Sequence, residues 1–286
     1  MAHNTYEGEW GYLDMMSNIL NHGKEREDRT GTGTYSIFSS SLVYDLQEGF
    51  PAVTTKQLFW KGVAGELLWF LSGSNDLPSL RRFTYGEDKG QRTIWTDDFT
   101  KYSNDETGGR IYGVQWRSAA GKNVRGVDQV QNLIDTINSD TTSRRLMINS
   151  WNAAEVHKGM MALPPCHFCV QFYIEDGYLH CKWSQRSCDV FLGVAYNIAS
   201  YALLTHLIAH WTGYKPGILI GDLTNVHLYK NHVDQAIEQV NRKPFDPPTL
   251  KIPSEITLGS IKNYTASDFQ LINYQHHEKI TAPQSS

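Results

Sequence analysis

Ala162-Leu163-Pro164-Pro165-Cys166-His167 holds the most reactive side chain of this sequence in a stiffened setting. Two prolines restrict the approach to a cysteine that should open a strand. A nucleophilic cysteine must be held still, reachable and near positive charge, because the thiolate is the reactive form. A buried structural cysteine is the alternative this segment leaves open, since free cysteine is among the most buried residue types. Cys166 and Cys169 also form a Cys-x-x-Cys. Along a strand, however, those two side chains point to opposite faces. Their spacing to Cys181 and Cys188 matches no closed zinc pattern, and no metal is expected.

Three arginine segments could serve an anionic ligand. Ser184-Gln185-Arg186-Ser187-Cys188-Asp189 sets one guanidinium among hydroxyl, amide and carboxylate groups. Ser143-Arg144-Arg145 precedes a strand, and Arg29 sits among small polar residues. Each alone reads as a solvated surface. Together the four arginines make the local basic cluster that an anionic small molecule needs on a chain of net charge −4. A protein that coats nucleic acid would be basic overall, so no stable nucleic-acid partner is expected. Asn197, in Tyr196-Asn197-Ile198-Ala199-Ser200-Tyr201, stands where a helix should begin and could be its N-cap. Taken alone, the cap is the favoured reading; the other is that its amide reads the edge of a base, since one acceptor and two donors suit the N3–H and O4 of uracil. His227 and Tyr229 share a strand face and could bond a sugar hydroxyl.

The elements that must position these groups are legible in outline. Leu13 to Asn21 has helical apolar spacing, and Gly23 could end it. Gly62 to Leu71 is an apolar helix around one carboxylate, Glu66. Val127 to Ile137 is amphipathic, and Asn197 to Trp211 is a long apolar helix that Gly213 could cap. Val170 to Ile174 and Leu179 to Trp183 alternate around Asp176-Gly177, a hairpin signal. Leu146 to Trp151 and Ile218 to Ile220 are further strands. The mixture, without strict βαβ alternation, predicts an α+β fold with a sheet covered by helices on one side. The 286 residues show no linker; Asn104 to Gly109 and Ala119 to Arg125 are loops too short to divide domains, so one domain over 1–286 is expected. The tail from Thr281 to Ser286 is expected to be mobile without a ligand. No apolar run reaches membrane-spanning length and no signal-peptide pattern opens the chain, so a cytoplasmic site, or a host's cytoplasm for a viral protein, is expected.

These segments, in order, resemble the thymidylate synthases over nearly the whole chain. The match runs through Asp28-Arg29-Thr30-Gly31-Thr32-Gly33-Thr34, Phe50-Pro51, Thr54-Thr55-Lys56, Glu66-Leu67-Leu68-Trp69-Phe70, Ile94-Trp95, Ile111-Tyr112-Gly113 and Gln115-Trp116-Arg117. It continues through Ser143-Arg144-Arg145, Pro164-Pro165-Cys166-His167, Gln185-Arg186-Ser187 with Asp189, Asn197-Ile198-Ala199-Ser200-Tyr201 and His227-Leu228-Tyr229. The resemblance implies a large mixed sheet covered by helices, a homodimer packed through that sheet, and transfer of a one-carbon unit from 5,10-methylenetetrahydrofolate to C5 of dUMP. Cys166 would attack C6. Arg29, Arg186 and Ser187 would hold the phosphate beside Gln185, with Arg144 and Arg145 arriving from the second subunit. Asn197 would read the uracil edge, and His227 with Tyr229 the sugar. Glu66 would organise proton transfers, with His167 and Tyr112 lining the pocket. Trp95, Leu163, Asp189 and Gly193 would contact the folate, and Lys56 its glutamate tail. Nearby arginines should favour the Cys166 thiolate, and a buried Glu66 should have a raised pKa.

The chain departs from the family pattern at Ala195-Tyr196, Ser184, Arg110, Thr96 and the terminal Gln284-Ser285-Ser286. A looser lid would let water intercept the one-carbon unit before hydride transfer. That motivates dUMP hydroxymethylation as the alternative to methylation, with a UMP or CMP substrate a further variant. A nucleotide- or RNA-binding protein without catalysis is the alternative of a different class.

Overall fold

The computed structural model describes residues 3–119, 126–156 and 159–284. Most of the loop read at Ala119 to Arg125, and the last two residues of the tail, lie outside them. The strands are β1 (Asn4–Glu7), β2 (Lys24–Arg26), β3 (Thr34–Asp45), β4 (Met147–Asn149), β5 (His167–Glu175), β6 (Tyr178–Gln185), β7 (Cys188–Asp189), β8 (Lys215–Tyr229), β9 (Thr249–Lys251) and β10 (Gln270–Ile272). The helices are α1 (Gly8–His22), α2 (Trp60–Ser72), α3 (Leu77–Tyr85), α4 (Thr96–Tyr102), α5 (Tyr112–Arg117), α6 (Gln129–Ser139), α7 (Val194–Thr212) and α8 (Val233–Val240).

The main sheet runs β1-β3-β8-β6-β5-β4, with β2 on β3 and β7 on β8. It is mixed, as expected: β1–β3, β6–β8 and β7–β8 pair parallel, the rest antiparallel. Alternation along each strand divides the two faces. Leu42, Val170, Phe172, Leu179, Cys181, Trp183, Leu219 and Leu223 are buried in the core. On the opposite face Tyr173 is 62% exposed, and Phe38 of β3 is 73% exposed.

Local rules explain most boundaries. Asp176 and Gly177 both have positive φ, 50° and 82°, as a two-residue hairpin joining β5 to β6 requires. Asp128 caps α6 by accepting from Gln131 N at 3.0 Å. Gly213 ends α7 at φ 77°. Two boundaries depart from the sequence reading. α7 begins at Val194, so Asn197 lies within its first turns and is not its N-cap. β8 extends far beyond Ile218–Ile220 to take in His227 and Tyr229, because its ladder with β3 continues through Thr34↔Tyr229. The β5 ladder also shifts register between His167 and Cys169, so simple alternation does not relate Cys166 to Cys169.

Two packing features brace the sheet and its flanking segments. A Cβ at Gly221 would lie 2.3 Å from the Trp183 ring, so β8 carries no side chain where that indole lies flat. The buried pair Thr54–Thr55 forms a junction. Glu9 of α1 accepts from both backbone N–H groups and both hydroxyls at 2.7–3.0 Å. The Thr54 carbonyl accepts from His277 N at 2.8 Å, and the Thr55 carbonyl from Arg242 at 2.9 Å. Arg242 also reaches the Glu278 carbonyl.

Candidate active site

Cys166 sits half-buried immediately before β5. Its backbone is gripped at both ends. The N–H donates to Tyr112 Oη at 2.7 Å, and the carbonyl accepts from Arg186 N at 2.9 Å. The Arg186 guanidinium donates from Nε to Pro165 O and from Nη2 to Pro164 O, each at 2.9 Å, and lies over the Trp151 ring at 5.3 Å. Prolines have no N–H, so this turn cannot hold itself with its own ladder; the arginine holds it instead. Arg186 thus spends two donor groups on the cysteine turn.

The expected effect of arginine on the thiol is only partly realised. Burial pushes the Cys166 thiol up; Arg186 and then Arg29 pull it down, Asp98 opposes them, and burial wins. Arg144 and Arg145, exposed in the turn before β4, are not among the charges that act on it.

Glu66 of α2 meets the expectation for a carboxylic acid poised near neutrality. Its removal from water raises its pKa to about 7, and one hydrogen bond, from Trp95 Nε1 to Oε1 at 2.6 Å, opposes that only partly. Trp95 packs edge-on to Tyr112, with ring centroids 6.0 Å apart. His167 stacks on Tyr112 at 4.2 Å and shares a 2.7 Å hydrogen bond between Nδ1 and Tyr201 Oη. Burial lowers its pKa to about 3, so it works as a neutral imidazole.

Asn197 points its amide at Gln185, whose Nε2 donates to Asn197 Oδ1 at 3.1 Å and to the Ser187 carbonyl at 3.0 Å. At the end of β8, His227 meets the Asn225 carbonyl through Nδ1 at 2.8 Å. A carbonyl only accepts, so Nδ1 carries the proton and Nε2 is left as an acceptor. Tyr229 lies 5.4 Å away, ring perpendicular to ring. The Asp28–Gly33 loop is organised by Asp28, which accepts from Thr30 N, Thr30 Oγ1 and Gly33 N at 2.7–3.1 Å. Burial would raise the Asp28 pKa, but these bonds outweigh it and hold it below the ordinary value. Arg29 stands exposed within that loop.

On the other wall, Asp189 Oδ1 accepts from Phe191 N and Leu192 N at 3.1 and 3.2 Å, shaping the turn into α7. Gly193 follows, where a Cβ would come 3.1 Å from the Asp189 carbonyl. Leu163 is half-buried beside the proline pair. Lys56, which the resemblance would set against the folate's glutamate tail, lies buried. Its ammonium is buried against the Phe191 carbonyl and ring, and burial lowers its pKa to about 8 while Asp189 acts in the other direction. Among the described residues, no group of three or more His, Cys, Asp or Glu side chains could hold a metal ion.

Arg110, one of the departures, has a structural reason. Its Nε meets Glu155 Oε1 at 2.6 Å, and Gln115 Nε2 reaches Glu155 Oε2 at 2.6 Å. Glu155 is 2% exposed. Loss of the Arg110 guanidinium leaves that buried carboxylate with Gln115 but no cation. We expect Arg110→Met, which keeps the backbone N–H bonded to the Met160 carbonyl, to lower the free energy of urea unfolding by about 3 kcal/mol, and Arg110→Met with Glu155→Leu to recover most of it. An unchanged urea midpoint for the single variant would remove the ion pair from the account.

Sequence reasoning gave no role to Tyr201, Trp151 or Trp183. Tyr201 could have been found, one helical turn beyond Asn197 in a quoted motif; the other two are core aromatics whose polar contacts only the fold reveals.

A strand-mouth cysteine, a carboxylic acid titrating near neutrality and a fixed amide beside cationic groups define an enzyme of covalent chemistry on a small anionic substrate. The thymidylate synthase family model matches residues 10–286. The chain is 47% identical over 283 residues to the "Probable thymidylate synthase" of Escherichia phage T5, covering 96% of this chain and 99% of that protein. The chain belongs to the thymidylate synthase family.

Proposed function

We propose that this chain methylates dUMP at C5 to give dTMP, with 5,10-methylenetetrahydrofolate as co-substrate. The observation that carries the reading is the environment of Tyr112. This one side chain bonds the Cys166 backbone, stacks on neutral His167, packs on Trp95 and feels the charge of both Cys166 and Glu66. The groups that would attack, protonate and shield thus share one aromatic wall.

Cys166 adds to C6 as the thiolate, making C5 an enolate-like nucleophile. Burial outweighs the subunit's own arginines at the thiol, and Glu66 and His167 manage the protons at the pyrimidine. The folate supplies the one-carbon unit and the hydride. Asn197 offers its second oxygen lone pair to N3–H and its N–H groups to O4. The His227 Nε2 acceptor and the Tyr229 hydroxyl suit the sugar 3′-hydroxyl. Arg29, Arg186 and Ser187 hold the phosphate. Arg144 and Arg145, exposed in their turn, reach the phosphate of a partner subunit in a homodimer packed through the sheet, on which Phe38 and Tyr173 stand exposed. Asp189 Oδ2, Leu163, Gly193 and Trp95 line the folate side, and Lys56 would have to swing outward to meet the glutamate tail. We treat residues 1–286 as one catalytic domain, supported by the continuous core. The four unpaired thiols and the phage relative support a cytosolic site, the host's if the protein is viral. Among the described residues no helix is long and apolar enough to cross a membrane.

Mass spectrometry of both products tests this. Incubation with dUMP and methylenetetrahydrofolate should yield dTMP and dihydrofolate. Hydroxymethyl-dUMP with tetrahydrofolate would replace the methylation reading, and failure of 5-fluoro-dUMP to trap Cys166 would remove catalysis altogether.

A further inference from the structure

Gln185 and Asn197 present amides, and an amide read one way round selects uracil while the same amide reversed selects cytosine. What sets the direction is therefore a specificity determinant. Trp183 lies two residues before Gln185 on the same face of β6, and its Nε1 meets Gln185 Oε1 at 3.1 Å. An indole N–H only donates, so the Gln185 atom facing it must be the oxygen. The Gln185 Nε2 then faces the Ser187 carbonyl, which only accepts, and Asn197 Oδ1. Both anchors demand the same orientation. The Asn197 atom facing a donor must in turn be its oxygen, which leaves its N–H groups to face the ligand.

Trp183 is well placed to impose this order. It is fully buried, stacked on Tyr201 at 5.4 Å with the rings 6° from parallel, and confined on its other side by Gly221. Gln185 is 3% exposed, so loss of the indole donor leaves its oxygen without a substitute from water. The flipped alternative pairs Gln185 Oε1 with Asn197 Nδ2 and reverses the donor–acceptor order at the base. Reversed, Asn197 suits the N3 acceptor and N4 donor of cytosine.

We propose that Trp183 is a specificity-determining positioning residue, which through Gln185 pins the Asn197 amide in the uracil-reading orientation and so excludes cytosine nucleotides. This rests on Asn197 being the base reader. The test measures dissociation constants for dUMP and dCMP by calorimetry on the full-length protein. Trp183→Phe keeps the stacked ring and removes the donor. The ratio of the dCMP constant to the dUMP constant should fall about 3–10-fold, the worth of one hydrogen bond. Gln185→Met breaks the second link without touching Trp183 and should lower the ratio in the same direction. In the Gln185→Met background, Trp183→Phe should then change the ratio no further, whereas a packing effect would persist there. An unchanged ratio in Gln185→Met, or an equal Trp183→Phe effect in both backgrounds, overturns the relay. Asn197→Asp, run beside these, separates the two readings. If it shifts preference toward dCMP while Trp183→Phe does not, the relay alone fails. If it shifts nothing, both the relay and the assignment of Asn197 fail.

Discussion

Cys166→Ser should bind dUMP within a few fold of the parent protein yet lose at least about 10⁴-fold in turnover. The separation follows from how the turn is built. Its hold on position 166 is through backbone atoms, the N–H on Tyr112 and the carbonyl on Arg186, and serine keeps both. What serine cannot do is ionise near neutral pH. In this subunit even the thiol is pushed above its ordinary value by burial, with Arg186 and Arg29 recovering only part. A hydroxyl starts several units higher and receives the same partial help. Steady-state assays with parallel dUMP titration check this. Residual turnover within 100-fold of the parent would mean that addition at C6 is not the route, on the scale expected for a lost nucleophile.

Glu66→Gln should lower kcat by about 10²–10⁴-fold while making the protein more stable at alkaline pH. Glutamine preserves the shape and can still accept from Trp95 Nε1, so the loss is that of the proton. In the parent, the Glu66 pKa moves from 4.5 to about 7. Between those values the folded state binds more protons than the unfolded state, so stability is present at low pH and is lost as pH rises through about 7. By pH 8 this ionisation costs the folded parent up to about 3 kcal/mol, and the glutamine variant escapes it. Chemical unfolding of both proteins at pH 5 and pH 8 reads the difference. If the two lose stability in parallel, the carboxyl titrates normally and is not the proton carrier. In the parent, the kcat profile should bend near pH 7, and the bend should vanish in the variant.

The candidate nucleophile, acid and base reader were legible in the sequence because each sits in a locally constrained segment: two prolines before Cys166, an apolar helix around Glu66, the first turns of an apolar helix around Asn197. It placed the hairpin of β5 and β6 because Asp176-Gly177 can take two positive φ angles at little cost. It did not anticipate the orientation of long side chains. Arg186 turns back onto its own proline turn, and Lys56 folds inward onto Phe191, because unmet carbonyls compete with any ligand for their donors. Nor could spacing show the register shift after His167, or that the ladder with β3 would carry β8 on to Tyr229. Arg110 reads as an oddity in the sequence and becomes intelligible only beside Glu155, 45 positions away.

The junction at Thr54–Thr55 bears on how the chain comes to fold. Glu9 near one end, Thr54–Thr55, and the segment at His277–Glu278 near the other are joined by one set of hydrogen bonds. The closure of Thr54 on His277 spans most of the described residues, and its loop entropy must be met before it yields any stability. On a ribosome, the first helix and the early strand β3 emerge while β8 and the closing segment are still unmade. The sheet cannot gain its β3–β8 pairing until Lys215–Tyr229 is made, nor the junction its last partners until His277 and Glu278 follow. A product stopped before β8 would leave apolar sheet surface open to aggregation.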